Sequence, residues 1–215
     1  MSVPRLTALP LACVAALLFT GCPSVSTLHR ADPVMPGRWE LGAGVDGLLL
    51  RDLPQDTRSP SGQALVTARR GLFEDLDAGL RLYTVGLDAS VRWRFYRGAT
   101  WRVAAIPTLG TAKTAESQTT TNAWHLFAQL PVVFTRDLNR DWSLSCGPRV
   151  VWGLYYPEGG GNAQGTMLGG FVNLEYALSP RWAIVPELSF HRTIHGEVPA
   201  DGFVLHLGAG LLWRF

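Results

Sequence analysis

From Arg38 to Phe215 apolar side chains recur at every second position over stretches of about 10 to 12 residues, a period that gives a strand one apolar face and a length that carries a tilted strand across a bilayer. Ten such stretches follow one another. The first, Arg38 to Leu50, puts Trp39, Leu41, Ala43, Val45 and Leu49 on one face and Glu40, Gly42, Gly44 and Asp46 on the other. Leu76 to Tyr83 sets Leu76, Ala78, Leu80 and Leu82 against Asp77, Gly79 and Arg81, and the next stretch sets Leu87, Ala89, Val91, Trp93 and Phe95 against Asp88, Ser90, Arg92 and Arg94. The fifth, Thr100 to Leu109, opposes Trp101, Val103, Ala105, Pro107 and Leu109 to Arg102, and the remaining ones carry Arg149, Glu175, Glu187 and Arg214 on the polar face. Segment two, Gln63 to Leu72, is weaker, because Arg69-Arg70 puts a charge on each face, which a membrane strand tolerates only where it ends at the water interface.

Short turns at 73–75, 96–99, 136–141 and 179–181 alternate with longer polar connections at 51–62, 111–123, 153–166 and 192–202. Only 84–86 is short where a long connection is expected. Transmembrane barrels have short periplasmic turns, longer extracellular loops and an even strand count. The pattern therefore predicts an all-β, up-and-down antiparallel transmembrane β-barrel over residues 38–215, with ten strands and both termini periplasmic. The count is eight if segment two and a neighbour pack outside the wall. All eight tryptophans have the apolar parity and lie near strand ends. Trp39, Trp93, Trp101, Trp142, Trp182 and Trp213 sit beside the short turns, as an interfacial aromatic girdle does, whereas a soluble sandwich buries its indoles mid-strand.

Composition narrows the function classes. A 47% hydrophobic chain with 17% charged residues is not disordered, and a net charge of +2 from dispersed arginines, with Lys113 the only lysine, gives no basic stripe for nucleic acid. The N-terminus reads as an address: Arg5 precedes an apolar stretch, Leu6 to Thr20, that suits an export signal. It ends in Leu18-Phe19-Thr20-Gly21-Cys22, which resembles a bacterial lipobox with Phe19 in place of the usual aliphatic residue. The resemblance implies a signal peptide over 1–21 and acylation of Cys22, and Pro23 in place of an inner-membrane retention Asp implies transfer to the outer membrane. Residues 22–37, rich in proline and small polar side chains, read as a lipidated periplasmic tether, with folding starting near Arg38. Cys146 is then left without a partner, so no disulfide framework is expected.

The last strand, Leu205 to Phe215, ends in an aromatic residue and resembles the terminal strand read by the barrel assembly machinery, and Gly71 to Gly79 resembles the strand-turn-strand of small uncharacterised bacterial outer-membrane β-barrel lipoproteins. That resemblance covers nearly the whole chain. It implies location, outer-membrane lipid as surroundings, and the barrel-assembly and lipoprotein-sorting machineries as partners, but no activity and no oligomeric state.

Outside segment two, the inward parity carries Glu40, Asp46, Asp77, Asp88, Glu175 and Glu187 against Arg81, Arg92, Arg94, Arg102, Arg149 and Arg214, six of each sign. A balanced set in a narrow lumen reads as a salt-bridged plug, since an unpaired buried charge is costly, whereas a selective pore shows an excess of one sign. The expected function is a structural or surface-interaction protein, with a narrow passive pore and a lipid-modifying enzyme as alternatives. Glu187, Ser189 and His191 have hydrolase residue types but stack along one strand, and His195 with Asp201 is a loop pair of the kind chance supplies. None of the local motifs of lipid A deacylases or omptin proteases is found. His125, His191 and His206 share the inward parity without a metal-binding spacing, and Gly159 to Asn162 lacks the lysine of a phosphate loop, so neither metal nor cofactor is expected.

Overall fold

The computed structural model describes residues 26, 28–52, 57–115, 122–157, 161–196 and 202–215. Eleven strands follow one another: β1 (Trp39–Asp52), β2 (Thr57–Phe73), β3 (Leu76–Tyr83), β4 (Gly86–Arg97), β5 (Arg102–Ala105), β6 (Thr108–Ala115), β7 (Asn122–Asp137), β8 (Trp142–Pro157), β9 (Ala163–Ala177), β10 (Trp182–Gly196) and β11 (Phe203–Arg214). They occupy ten positions in the wall, because β5 and β6 both pair with β4 on one side and β7 on the other. The break falls at Ile106-Pro107, where proline has no N–H to give to a ladder. Ile106 donates instead to the Pro131 carbonyl at 3.0 Å, and Val91 donates to the Pro107 carbonyl at 3.1 Å, which keeps the wall stitched. All neighbours are antiparallel, and β1 pairs with β11 from Glu40↔Arg214 to Arg51↔Phe203, closing the barrel.

The strands differ in extent from the expected stretches. β2 runs for 17 residues and β7 and β8 for 16 each, so much of the sequence read as loop is ladder. Main-chain pairing needs no apolar side chains and continues where the alternation fades. Segment two is a full wall strand: it starts at Thr57, passes through Arg69 and Arg70 without ending, and shifts register between Gly71 and Phe73.

The two faces are inverted relative to a soluble fold. Leu80 and Leu109 point outward at 61% and 67% exposure, while the largest fully buried side chains include Arg69, Arg92, Arg149, His191 and His206. Such an exterior matches an apolar surrounding and such an interior must satisfy its charges internally.

The N-terminal segment corrects the reading of a tether. Ser26 and residues 28–34 run inside the barrel, so packing begins well before Arg38. The chain turns in at the short-turn end, where Gly37 adopts a φ of 75° and Gly37 N–H donates to Gly71 O at 3.0 Å. A Cβ at Gly71 would lie 2.1 Å from the Met35 carbonyl oxygen, so only glycine admits the segment so close to β2.

Candidate functional site: a lumen filled by the chain's own N-terminal segment

A segment that runs inside a barrel without joining its sheet has main-chain groups that no ladder satisfies, and each has to find a side chain of the wall. Val34 N–H donates to Asp77 Oδ2 at 2.8 Å, near the start of β3. Ala31 N–H donates to Thr135 Oγ1 at 2.7 Å, and Thr135 in turn meets Ser145 at 2.8 Å. Asn173 Nδ2 donates to the His29 carbonyl at 3.1 Å, and Leu28 N–H donates to Glu187 Oε2 at 2.7 Å. Arg92 donates to the Arg30 carbonyl at 3.0 Å and Arg81 to that of Ser26. Ser26 lies beside Gly208, mid-strand in β11, so the segment climbs from the short-turn rim past the middle of the wall.

Two apolar seats hold it. Leu28 packs with Leu65, Tyr83, Phe127 and Leu212, and Gly44 and Gly210, opposite each other on β1 and β11, leave room for its side chain. Ala31 packs with Ala104, Ile106, Val133 and Phe171.

Around these seats the wall charges pair. Asp77 is fully buried and accepts from Arg69 Nε and Arg92 Nε, each at 2.8 Å. Arg81 Nε donates to Asp88 at 2.8 Å, Arg149 Nη2 to Glu187 at 3.2 Å, and Arg214 joins Glu40 at 2.7 Å to Glu175 at 2.8 Å. Arg94 and Arg102 take partners outside the six acids of the inward count. Arg94 meets Asp75 at 2.8 Å and Asp32 at 2.9 Å, while Arg102 meets Asp137 at 2.7 Å and Asp32 at 2.9 Å. Asp46 lies 3.4 Å from His206 Nε2. The network therefore includes Arg69, Arg30, Asp32, Asp75 and Asp137, which the balanced count of wall charges left out. For Arg69 a signal existed: it continues the inward parity of Gln63, Leu65 and Thr67, all buried. For Arg30 and Asp32 none existed, because nothing local marks the segment as interior.

At the short-turn rim Trp182 and Trp213 are paired across β10 and β11 and stack at 5.8 Å, Trp142 stacks on Tyr176 at 4.5 Å, and Arg70 lies over Trp39 at 5.5 Å. Trp93 contacts Phe95 at 5.6 Å, and Trp101 caps the turn before β5 by accepting from Gly98 N–H at 2.9 Å.

The candidate nucleophile and histidines are placed differently from one another. Ser189 faces His206 across β10 and β11, not His191, and His206 faces Asp46. These three side chains are 1, 0 and 5% exposed, and Ser26 lies beside them. Glu187 is engaged by Arg149 and Leu28. His125 packs edge-on to Tyr155 at 4.8 Å, and among the described residues no group of three ligating side chains is arranged for a metal ion. Cys146 is a free thiol in β8, while Cys22, Gly159, Gly160 and Asp201 lie outside the described residues.

No family model matches the sequence, and no curated protein matches it. Solved structures do. The outer membrane protease OmpT from Escherichia coli matches with a TM-score of 0.55 and 8% identity, over 89% of this chain and 100% of that one. The attachment invasion locus protein Ail of Yersinia pestis, in complex with the heparin analogue sucrose octasulfate, matches with a TM-score of 0.48 and 13% identity, over 84% and 100%. Neisserial surface protein A matches with a TM-score of 0.48 and 13% identity, over 83% and 99%. At such identities the likeness concerns fold alone, and the fold is that of the bacterial outer-membrane β-barrels, whose members named here differ in function.

Proposed function

We propose that this protein is a self-plugged outer-membrane barrel with a structural or surface-interaction role, in which residues 28–34 seal the lumen against solute passage. The observation that carries this reading is the series of main-chain groups, from Val34 to Ser26, each bound to a charged or polar side chain of the wall. Sealing of this kind is specific. A plug held only by apolar contact would slide, whereas each of these main-chain groups loses a hydrogen bond if the segment moves.

The short-turn rim faces the periplasm in this reading, with its stacked indoles in the interface and the C-terminus beside them. Acylation of Cys22 remains part of the proposal. Incorporation of labelled fatty acid, lost in Cys22→Ala, tests the modification.

The seal is tested in whole cells. Cells producing a variant without residues 26–36 take up a small hydrophilic dye faster than cells producing the intact chain at equal outer-membrane abundance. Equal uptake counts against the seal, and rapid uptake with the intact chain makes the protein a narrow passive pore.

A further inference from the structure

Arg69 and Arg70 are adjacent, yet only the first is absorbed by the lumen. Arg70 projects from the outer face of β2 opposite Trp39, its guanidinium lies over the Trp39 ring at 5.5 Å, and it meets no carboxylate among the described residues. A cation on the lipid face is costly in proportion to its depth, and it is tolerated near an interface where an anion can meet it.

Arg70 also stands at the foot of a concavity in the outer wall. This groove has a volume of about 890 Å³ and is almost wholly apolar, and Arg70 is the only charged side chain along it. It crosses the wall through laterally paired residues, from Arg70 to Ala78, from Ala89 to Leu109, and on to Trp152 opposite Ala128. The wall is a sheet of tilted strands, so a path across it also runs from the short-turn rim toward the long-loop rim. A cation with an aromatic ring at one end of an apolar channel is complementary to one kind of molecule in a bilayer.

We propose that Arg70, Trp39 and this groove bind one phospholipid of the leaflet at the short-turn rim, with its phosphate on Arg70, its glycerol edge on Trp39 and an acyl chain along the groove. The site rests on the outer-membrane reading, and it is separate from the plug. The Arg–phosphate contact is a charge-assisted, bidentate hydrogen bond, the strongest the site offers.

The test uses the full chain refolded into vesicles of phosphatidylethanolamine and phosphatidylglycerol, extracted in mild detergent and weighed by native mass spectrometry. The wild type retains one phospholipid. Arg70→Gln reduces its occupancy about tenfold, the effect of losing one charge-assisted contact. Ala89→Trp, which fills the groove and leaves Arg70 untouched, reduces it as well. A wild type without retained lipid, or equal occupancy in all three proteins, overturns the site, as does a dimer in place of the lipid adduct. Migration of the unheated sample on a denaturing gel separates the two readings. Three heat-shifted bands with no lipid reject the site alone, and three unshifted bands reject the membrane barrel and the site with it.

Discussion

Leu28 donates its backbone N–H to Glu187 Oε2 at 2.7 Å, joining residues 159 positions apart. The other oxygen of Glu187 accepts from buried Arg149 at 3.2 Å, so one carboxylate both fixes the plug and neutralises the wall. Glu187→Ala removes both roles and strands a buried guanidinium, which costs about 3–5 kcal/mol. Glu187→Gln keeps an acceptor for Leu28 and costs less. The urea midpoint of the heat-shifted band measures both, and equal midpoints for the two variants would contradict the dual role.

Asp77 and Asp137 separate burial from charge. Asp77 is buried and satisfies Arg69, Arg92 and the Val34 N–H, whereas Asp137, with its side chain 48% exposed, pairs with Arg102 at the rim. Asp77→Ala is expected to lower stability by about 3–5 kcal/mol and Asp137→Ala by at most about 1 kcal/mol. Arg92→Ala, which frees the same carboxylate and the Arg30 carbonyl, should destabilise the barrel and admit leak. The same unfolding assay ranks the three, and similar losses for Asp77 and Asp137 would be the contrary result.

Gly210 probes the plug without removing it. A Cβ there would lie 3.0 Å from Leu28 Cδ1 and 3.8 Å from the nearest other atom, so Gly210→Val acts on Leu28 before it acts on the wall. The expected outcome is a folded, heat-shifted barrel with raised dye permeability. Leu28→Ala empties the same seat and costs about 2–5 kcal/mol. A tight Gly210→Val barrel would show that Leu28 does not hold the seal.

The wall was legible because its signals are local. Trp182 directly follows the last short turn, Trp213 lies near the end of the last strand, both carry the apolar parity, and they meet across β10 and β11. Pro107 keeps the apolar parity of the fifth stretch, so the alternation alone gives one unbroken strand there, and the missing N–H of its ring splits that strand into β5 and β6. Strand ends were harder to place, since the ladder of β7 and β8 continues through residues with no alternation. A filled lumen was legible from the paired charges, but that residues of the N-terminal segment fill it was not. Val34, Ala31 and Leu28 bind partners 43, 104 and 159 positions away, and an extended segment with prolines reads the same in water as inside a barrel. Counting the wall charges as balanced hid it further, because Arg94 and Arg102 share Asp32 of the segment.

The most direct measurement is single-channel conductance of the refolded mature chain in a planar bilayer, made on protein that shows the heat-shifted band. The sealed lumen predicts silence from the intact chain and stepwise conductance from the variant lacking residues 26–36. Reproducible conductance steps from the intact chain would contradict the seal.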